Sequence, residues 1–349
     1  MTVKQRSSRV TMKDVAKEAG VAFSTVSYLL NGTAPVAPET KQKILAAIER
    51  LNYRPNLTAR NLKRQRTNVI GLFVPDLTNL FYAEIAQGVA DLAREAGYSV
   101  ILYATSYEEE LERKFVELVE QRQVDGIIVS YSFINKHLWR RLEESNIPVV
   151  LVDVYPLNDR WPSVVVDNEK GVEKALSYLV SLGHMEIGYL SEPLYILPLV
   201  KRYQAFLDFV KKNRLRIRDE WIIVEETQRN RVEIGFALGK RLLESGERPT
   251  AILTSSDLVA VGTLKAFLSS GINVPGDMSI VGFDDILLSS YLHPSLTTVR
   301  QPKYEMGRIG TEILLQLLRG GRDNIASSLV VIEPEIVERG SSSHIRKLG

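Results

Sequence analysis

The chain of 349 residues contains no cysteine and only four histidines. Without thiols it can form neither a disulfide framework nor a thiolate metal site. The histidines, at positions 137, 184, 293 and 344, lack the spacing of metal ligands. No run of about 18 apolar residues occurs, and no signal-peptide core stands near the N-terminus. We therefore expect a cytoplasmic protein without a membrane span.

Sequence patterns of common enzyme classes are also missing. The chain has no G-x-S-x-G nucleophile motif and no glycine-rich dinucleotide fingerprint. The stretch GERPTAILTSSD (246–257) begins like a phosphate loop but lacks the lysine of that motif. We therefore expect neither an enzyme nor a bound cofactor.

The charge of the chain is distributed unevenly. Residues 1–66 hold 13 of the 44 Lys and Arg but only 4 of the 42 Asp and Glu, so that a basic N-terminal part precedes a mildly acidic remainder. A basic module attached to an acidic body is typical of a protein that binds a polyanion. The alternative is a solvated basic tail, which the apolar periodicity of this part disfavours.

The stretch TMKDVAKEAGVAFSTVSYLLNG (11–32) is predicted to form a helix-turn-helix. Thr11 and Asp14 have the spacing of a capping box, and Gly20 can end the first helix. A second helix is expected over about 23–30, with short hydroxyls and one tyrosine facing outward. In a helix-turn-helix this second helix lies in the DNA major groove. The alternative is a small helical hairpin without a ligand.

A third helix is expected to begin at Pro38, because proline suits the first helical position. Its buried stripe is predicted to contain Ile44, Leu45, Ile48 and Leu51. The basic segment that follows, 56–63, is long enough for only a marginal helix, which DNA or a second copy would have to order.

From Asn68 onward, apolar runs alternate with amphipathic stretches, and the alternation restarts near residue 163. This pattern predicts two α/β lobes, each a parallel sheet covered by helices. The expected strands are 69–75, 98–105, 124–130 and 147–153 in the first half, and 163–168, 186–191, 221–226, 250–255 and 278–284 in the second. In open α/β sheets, ligands bind at the carboxyl ends of the strands.

The sequence resembles the bacterial lactose-repressor family of transcriptional regulators. The matching motifs are T-x-K-D-V-A-x-x-A-G-V (11–21), S-T-V-S (24–27), L-N-G (30–32), P-E-T (38–40), Y-R-P-N (53–56) and A-R-x-L (59–62). The resemblance continues to about residue 339. It implies a bilobal body like that of periplasmic binding proteins, with the chain crossing between lobes near 165, 298 and 326.

The resemblance and the sequence pattern together predict the domain organisation. The expected parts are a flexible arm (1–9), a helix-turn-helix domain (10–55), a hinge helix and linker (56–67), an effector-binding and dimerisation domain (68–340) and a tail (341–349). Within the body, lobe 1 is expected at about 68–165 and 299–326, and lobe 2 at about 166–298 and 327–340.

The family resemblance also implies which residues contact DNA. Phe23, Ser24 and Tyr28 occupy the base-reading positions, and Leu62 matches a wedge that opens a central base step in the minor groove. Tyr28 stands where many members have Arg, and Ala22 where many have Ser, so a different half-site sequence is expected. The full set is Met12, Ala22, Phe23, Ser24, Thr25, Ser27, Tyr28, Asn31, Asn56, Ala59, Arg60, Leu62 and Lys63.

For the effector, the resemblance points to residues at strand ends around one cleft. The expected set is Phe81, Tyr82, Tyr107, Ser130, Tyr131, Asp153, Arg202, Asn230, Ser256 and Asp284. Asn230 replaces an aromatic residue that stacks on sugars in several members, and Ser256 replaces Asn. Because Arg229 and Arg231 flank Asn230, an anionic effector such as a sugar phosphate or acidic sugar is predicted.

The expected protein is a homodimeric or tetrameric regulator that represses carbohydrate-related genes, with double-stranded operator DNA and a small sugar-like effector as its partners. One alternative is a solute-binding protein of a transport system, whose export signal is missing. The other is a sugar-modifying enzyme, whose nucleophile, base or metal cluster is missing.

Overall fold

The computed structural model describes residues 10–31, 33–53, 66–106, 108–130, 136–156, 160–227, 230–320 and 329–345. The chain divides into two compact units, Met1–Thr67 and Asn68–Gly349, which we call the headpiece and the body. No helix among the described residues is long and apolar enough to cross a membrane.

The headpiece contains three helices, α1 (Met12–Ala19), α2 (Phe23–Asn31) and α3 (Pro38–Arg50). Their apolar faces close one small core, whose buried members are Val15, Ala16, Val26, Ile44, Ala47 and Tyr53. The turn between α1 and α2 requires Gly20, whose φ of 64° is a left-handed conformation that glycine adopts without strain. The predicted helix-turn-helix is present.

One expected core residue of α3 is instead exposed. Leu45 keeps 49% of its surface accessible, whereas Ile44 and Ala47 are buried and Ile48 and Leu51 pack partly buried against them. Residues one apart on a helix differ by roughly 100° in direction, so Leu45 lies outside the stripe formed by the other four. The expectation that Leu45 is buried was wrong.

The capping box predicted at the start of α1 is present. The Thr11 backbone N–H donates to Asp14 Oδ2 at 2.8 Å, and the Asp14 N–H donates to Thr11 Oγ1 at 3.4 Å. These bonds hold the pKa of the Asp14 carboxyl below its ordinary value. Each of two N–H groups that the helix cannot satisfy internally thus has a partner.

Replacing Thr11 with Ala is expected to destabilise the headpiece by about 1 kcal/mol, because the cap hydroxyl is lost. In the full chain, hydrogen exchange of the α1 amides should become about fivefold faster, which corresponds to that free energy. Thr11→Ser keeps the hydroxyl and should exchange like the wild type. Equal exchange in Thr11→Ala and Thr11→Ser would show that the cap does not stabilise α1.

Lobe 1 of the body is a six-stranded parallel sheet in the order β11-β5-β4-β3-β1-β2. Its strands read as continuous apolar runs because parallel sheets are covered on both faces. The strands are β1 (Val69–Val74), β2 (Ser99–Ala104), β3 (Gly126–Val129), β4 (Val149–Val152), β5 (Ser163–Val166) and β11 (Leu329–Ile332). The helices are α4 (Leu80–Glu95), α5 (Glu109–Glu120), α6 (Lys136–Glu144) and α11 (Lys303–Leu318). Helices α4 and α11 cover one face, and α5 and α6 cover the other.

Lobe 2 repeats this plan in the order β12-β10-β9-β8-β6-β7, with β12 antiparallel at one edge. Its strands are β6 (Ile187–Ser191), β7 (Ile222–Val224), β8 (Ala251–Thr254), β9 (Ser279–Asp284), β10 (Thr297–Arg300) and β12 (Glu335–Val337). The helices are α7 (Asn168–Ser181), α8 (Leu197–Asn213), α9 (Arg231–Glu244) and α10 (Asp257–Ser269). Helices α9 and α10 pack on one face, and α7 and α8 on the other.

The chain passes between the two sheets three times: after β5, after β10 and between β11 and β12. The third passage lies at Glu333 and Pro334 and not near residue 326. The reason is that β11 pairs in parallel with β5, with Leu329 beside Ser163, so it belongs to lobe 1. The expected assignment of Leu329–Ile332 to lobe 2 was therefore wrong.

Candidate functional site

A narrow cleft lies between the two lobes, at the carboxyl ends of their strands. Residues of both sheets line it, as expected for a ligand site in open α/β sheets. The lining residues are Asn79, Phe81, Tyr82, Asp153, Glu192, Ile196, Pro198, Leu199, Arg202, Arg231, Ser256 and Asp284. Six of the ten residues predicted for the effector are among them.

Arg202, on α8, is held rigidly inside the cleft. Its Nε donates to Asn168 Oδ1 at 2.7 Å, and its Nη1 donates to the Ser255 carbonyl oxygen at 2.7 Å. The guanidinium lies 3.8 Å from the centre of the Phe283 ring, and Nη1 lies 3.6 Å from Asp284 Oδ1. Among the described residues, Nη2 has no hydrogen-bond partner, so this nitrogen can donate to a ligand.

Asp284 ends β9 beside Arg202. Its φ of 131° is strained for a residue with a side chain, and such strain is typical of functional sites. Oδ1 accepts a hydrogen bond from Gln301 Nε2 at 2.7 Å. Burial raises the pKa of the carboxyl to about 7, although Arg202 and Lys303 oppose that shift. The carboxyl is thus poised to change its ionisation near neutral pH.

Lobe 1 presents three buried oxygen atoms that have no hydrogen-bond partner among the described residues. They are Thr105 Oγ1, Ser130 Oγ and Asp153 Oδ1, and each directly follows one of the strands β2, β3 and β4. Buried polar atoms are almost always paired, so a row of unpaired oxygens at one sheet edge indicates a ligand with polar groups.

Asp153 resembles Asp284 in its surroundings. Its φ is 60°, a left-handed value, and burial raises the pKa of its carboxyl to about 7 against the opposing charge of Arg202. Each lobe therefore contributes one carboxyl of raised pKa to the cleft, and Arg202 interacts with both.

A second cation, Arg231, enters the cleft from the start of α9. Its Nε donates to Glu192 Oε2 at 2.5 Å, and its Nη2 donates to the Tyr195 hydroxyl at 3.0 Å. Nη1 lies 3.7 Å from Asp76 Oδ2 of lobe 1, so Arg231 joins the two lobes. Ser256 Oγ donates to Glu192 Oε1 at 3.0 Å.

Several of these residues were not predicted. Glu192 and Gln301 follow β6 and β10, and Thr105 and Asp76 follow β2 and β1, so the rule of strand ends could have found them. Gln301 Oε1 is also buried without a partner among the described residues.

Asn230 lies at a different place from the one expected. Its side chain is exposed, and its Oδ1 accepts a hydrogen bond from the Val232 N–H at 2.9 Å, which caps α9. The next residue, Arg231, lines the cleft instead. Among the described residues that line the cleft, the charged groups are two arginines and three carboxyls, Asp153, Glu192 and Asp284. The prediction of an anionic effector also depends on Arg229, which lies outside the described residues, so it stays a prediction.

The affinity of the cleft for a ligand that donates hydrogen bonds from its hydroxyls is predicted to rise severalfold from pH 6 to pH 8. Ligand hydroxyls donate best to ionised carboxyls, and Asp153 and Asp284 ionise near pH 7. The free energy of unfolding changes in the opposite direction. Because the pKa values of both carboxyls in the folded state lie above the ordinary 3.8, the stability that they contribute is lost as the pH rises through 7. Calorimetric titration at both pH values would measure the affinity. The variant Asp153→Asn should reduce the difference in affinity between the two pH values. Tighter binding at pH 6 would contradict the role given to the two carboxyls.

In the headpiece, α2 turns its polar side outward. Ala22, Phe23, Ser24 and Tyr28 are exposed, and Val26 is fully buried against the core. Phe23 and Tyr28 keep 50% and 46% of their surfaces accessible, which is unusual for aromatic residues of a small domain. This surface matches the predicted base-reading face.

The remaining predicted headpiece contacts are less exposed. Thr25 and Ser27 are half-buried, and Asn31 Nδ2 donates to Ser27 Oγ at 3.1 Å, so these polar groups also brace the helix. Met12 packs partly buried on the core. Other predicted site residues lie outside the described residues: Asn56, Ala59, Arg60, Leu62, Lys63, Tyr107 and Tyr131.

Two family models match the chain. Residues 11–56 match the model described as bacterial regulatory proteins, lacI family. Residues 176–342 match the model described as a periplasmic binding protein-like domain. The first match falls on the headpiece and the second within the body.

Whole proteins of the same organisation are similar along nearly their full length. Catabolite control protein A of Priestia megaterium is 35% identical over 95% of this chain and 99% of its own. A ribose operon repressor of Halalkalibacterium halodurans is 36% identical over 88% of this chain and 89% of its own. The crystal structure of the lac repressor dimer bound to operator and the anti-inducer ONPF superposes with a TM-score of 0.83, at 28% identity, over 96% of this chain and all of that chain.

Proposed function

Because the chain belongs to the lacI family of bacterial regulatory proteins, and is a DNA-binding transcriptional regulator and not an enzyme, we propose that a neutral polyhydroxylated molecule controls it from the cleft between its lobes. The alternative of a transport solute-binding protein is not favoured, since the lacI match covers the headpiece that such a protein lacks.

The class of effector follows from the groups that line the cleft. The carboxyl oxygens of Asp153 and Asp284 are hydrogen-bond acceptors, as the hydroxyls of a sugar require. Arg202 Nη2 supplies a donor beside them. Phe81 and Tyr82, whose rings meet edge to face at 5.2 Å, supply an apolar wall for a sugar ring. A sugar or sugar derivative fits these groups.

The observation that supports this proposal most is the row of unpaired oxygens at Thr105, Ser130 and Asp153, of which Asp153 lines the cleft together with Arg202. A thermal-unfolding screen with ribose, glucose, cellobiose and their phosphorylated or oxidised forms would test it. At least one neutral sugar is expected to raise the unfolding temperature, since a ligand that binds only the folded state stabilises it. A rise with none of the neutral sugars, together with a rise for an anionic one, would contradict it.

We further propose that two copies act together on a pseudo-palindromic operator, with half-sites about one helical turn apart. Strand β2 lies at the edge of its sheet and exposes Ile101 and Leu102. Lobe 2 exposes Leu287, Leu288 and Tyr291 in one short segment. Exposed apolar clusters on a soluble protein typically mark interaction surfaces, and a second copy would cover both.

DNA recognition is proposed to use the exposed face of α2. Tyr28 cannot form the bidentate pair that arginine forms with guanine, so the preferred half-site should differ from that of relatives with arginine there. The segment 56–63 is proposed to form the hinge helix, with Leu62 as the minor-groove wedge and Arg60 and Lys63 on phosphates.

A further inference from the structure

Glu192 and Arg231 form a buried ion pair inside the cleft, with only 3% and 9% of their surfaces accessible. Both oxygens of Glu192 are engaged, because Oε2 accepts from Arg231 Nε and Oε1 accepts from Ser256 Oγ. A buried pair of this kind is costly to desolvate and contributes little stability compared with apolar residues. Its presence among residues that face a ligand therefore indicates a role in ligand selection.

The position of Arg231 makes a partner necessary. Arg231 is the first residue of α9, where the helix dipole favours negative charge and disfavours a cation. Glu192 at 2.5 Å supplies the compensating charge, and the Tyr195 hydroxyl and Asp76 carboxylate lie around the same guanidinium. Arg231 is thus surrounded by oxygen atoms of this chain.

The two arginines of the cleft therefore differ in whether a carboxylate of the chain neutralises their charge. Arg202 bonds to two uncharged oxygens, those of Asn168 and Ser255, and its nearest carboxylate, Asp284, is 3.6 Å away. Arg231 is neutralised by direct contact with a carboxylate. One cation is therefore presented to a ligand, and the other is masked.

We propose that Glu192 determines which class of effector the cleft accepts: by masking Arg231 it removes the second positive charge that a phosphorylated or carboxylated sugar would need. The site then takes the neutral sugar and rejects its anionic relatives. This inference rests on the proposed sugar-binding function of the cleft.

The test is Glu192→Gln, which keeps the shape of the side chain and removes its charge. Dissociation constants are measured by calorimetry for matched pairs, ribose with ribose 5-phosphate and glucose with glucose 6-phosphate. The wild type should bind the neutral member of a pair. In Glu192→Gln the preference for the phosphorylated member over the neutral one should rise at least tenfold, because Arg231 then keeps only the more distant Asp76 carboxylate, at 3.7 Å, and its Nε can donate to a phosphate.

Three further variants serve as controls. Arg231→Gln should shift the preference in the opposite direction, since it leaves the Glu192 charge uncompensated. The double variant Glu192→Gln/Arg231→Gln should return the preference to that of the wild type. Glu173→Gln makes the same chemical change at an exposed carboxylate, paired with Lys170 at 2.8 Å on α7, and should change nothing.

Each outcome separates the two proposals. An unchanged preference in Glu192→Gln and Arg231→Gln, with neutral sugars still bound, would overturn the role of Glu192 alone. Binding of no sugar by the wild type would overturn the proposed function and this inference with it. Failure of both single variants to fold, judged by their loss of operator binding, would also overturn the inference, because the pair would then serve lobe stability.

Discussion

Replacing Arg202 with Ala is expected to abolish the effector response and to leave operator binding intact. The guanidinium is buried, aligned by Asn168 and Ser255 and stacked on Phe283. Its removal deletes a charge-assisted donor and leaves the Asp284 carboxyl with Lys303 but without the guanidinium 3.6 Å away. A hydrogen bond to a charged group contributes about 1.5–3 kcal/mol, so effector affinity should fall roughly 10- to 150-fold.

A neighbouring lysine on the same helix supplies the control for Arg202→Ala. Lys201 pairs with Glu169 at 2.5 Å outside the residues that line the cleft, and Lys201→Ala should retain the response. Effector affinity is measured by calorimetry and operator affinity by fluorescence anisotropy. An effector response of normal size in Arg202→Ala would remove this residue from the site.

Replacing Leu62 with Ala is expected to weaken specific operator binding about 10- to 100-fold and non-specific binding less than about twofold. The prediction depends on the A-R-x-L motif at 59–62, since Leu62 lies outside the described residues. Two wedges, one from each copy, would open a central base step at a cost of a few kcal/mol, which contacts to the bent operator offset. Non-specific DNA is not kinked and gains nothing from the wedge.

Lys63→Ala provides the comparison for Leu62→Ala. If Lys63 contacts a phosphate, its loss should weaken specific and non-specific binding alike and reduce the salt dependence by about one counterion. Both affinities are measured by anisotropy over a range of salt concentrations. Equal losses on both DNAs for Leu62→Ala would show that Leu62 acts as an ordinary contact and not as a wedge.

The sequence predicted the elements whose pattern depends on local chemistry. The capping box at Thr11, the turn at Gly20 and apolar strands such as VIGLFV (69–74) each follow from spacing and burial alone. The exposure of Leu45 could not be predicted. When five apolar residues lie close together in a helix, they form several nearly equivalent apolar stripes, and the sequence alone does not show which of them is buried. Strand β11 was assigned to the wrong lobe because its pairing with β5 joins residues more than 160 positions apart.

Prediction of the cleft residues was limited in the same way, because contacts between residues far apart in the sequence form the cleft. Arg202 and Asp284 were found through family motifs, and the structure brings them to 3.6 Å. Asn230 and Arg231 are neighbours in the sequence, but Asn230 caps a helix and Arg231 lines the cleft. Only the course of the backbone decides which of the two enters the cleft. Glu192 was not predicted, because its role depends on its contacts with Arg231 and Ser256, which are 39 and 64 residues away in the sequence.

The central claim is that a molecule in the cleft changes how the chain binds DNA. Its most direct test is the operator affinity of the wild-type protein, titrated with the neutral sugar that raises its unfolding temperature. Coupling between two sites typically amounts to 5- to 150-fold, so a change of about tenfold, in either direction, is predicted. A sugar that saturates the cleft and leaves operator affinity unchanged would contradict the account.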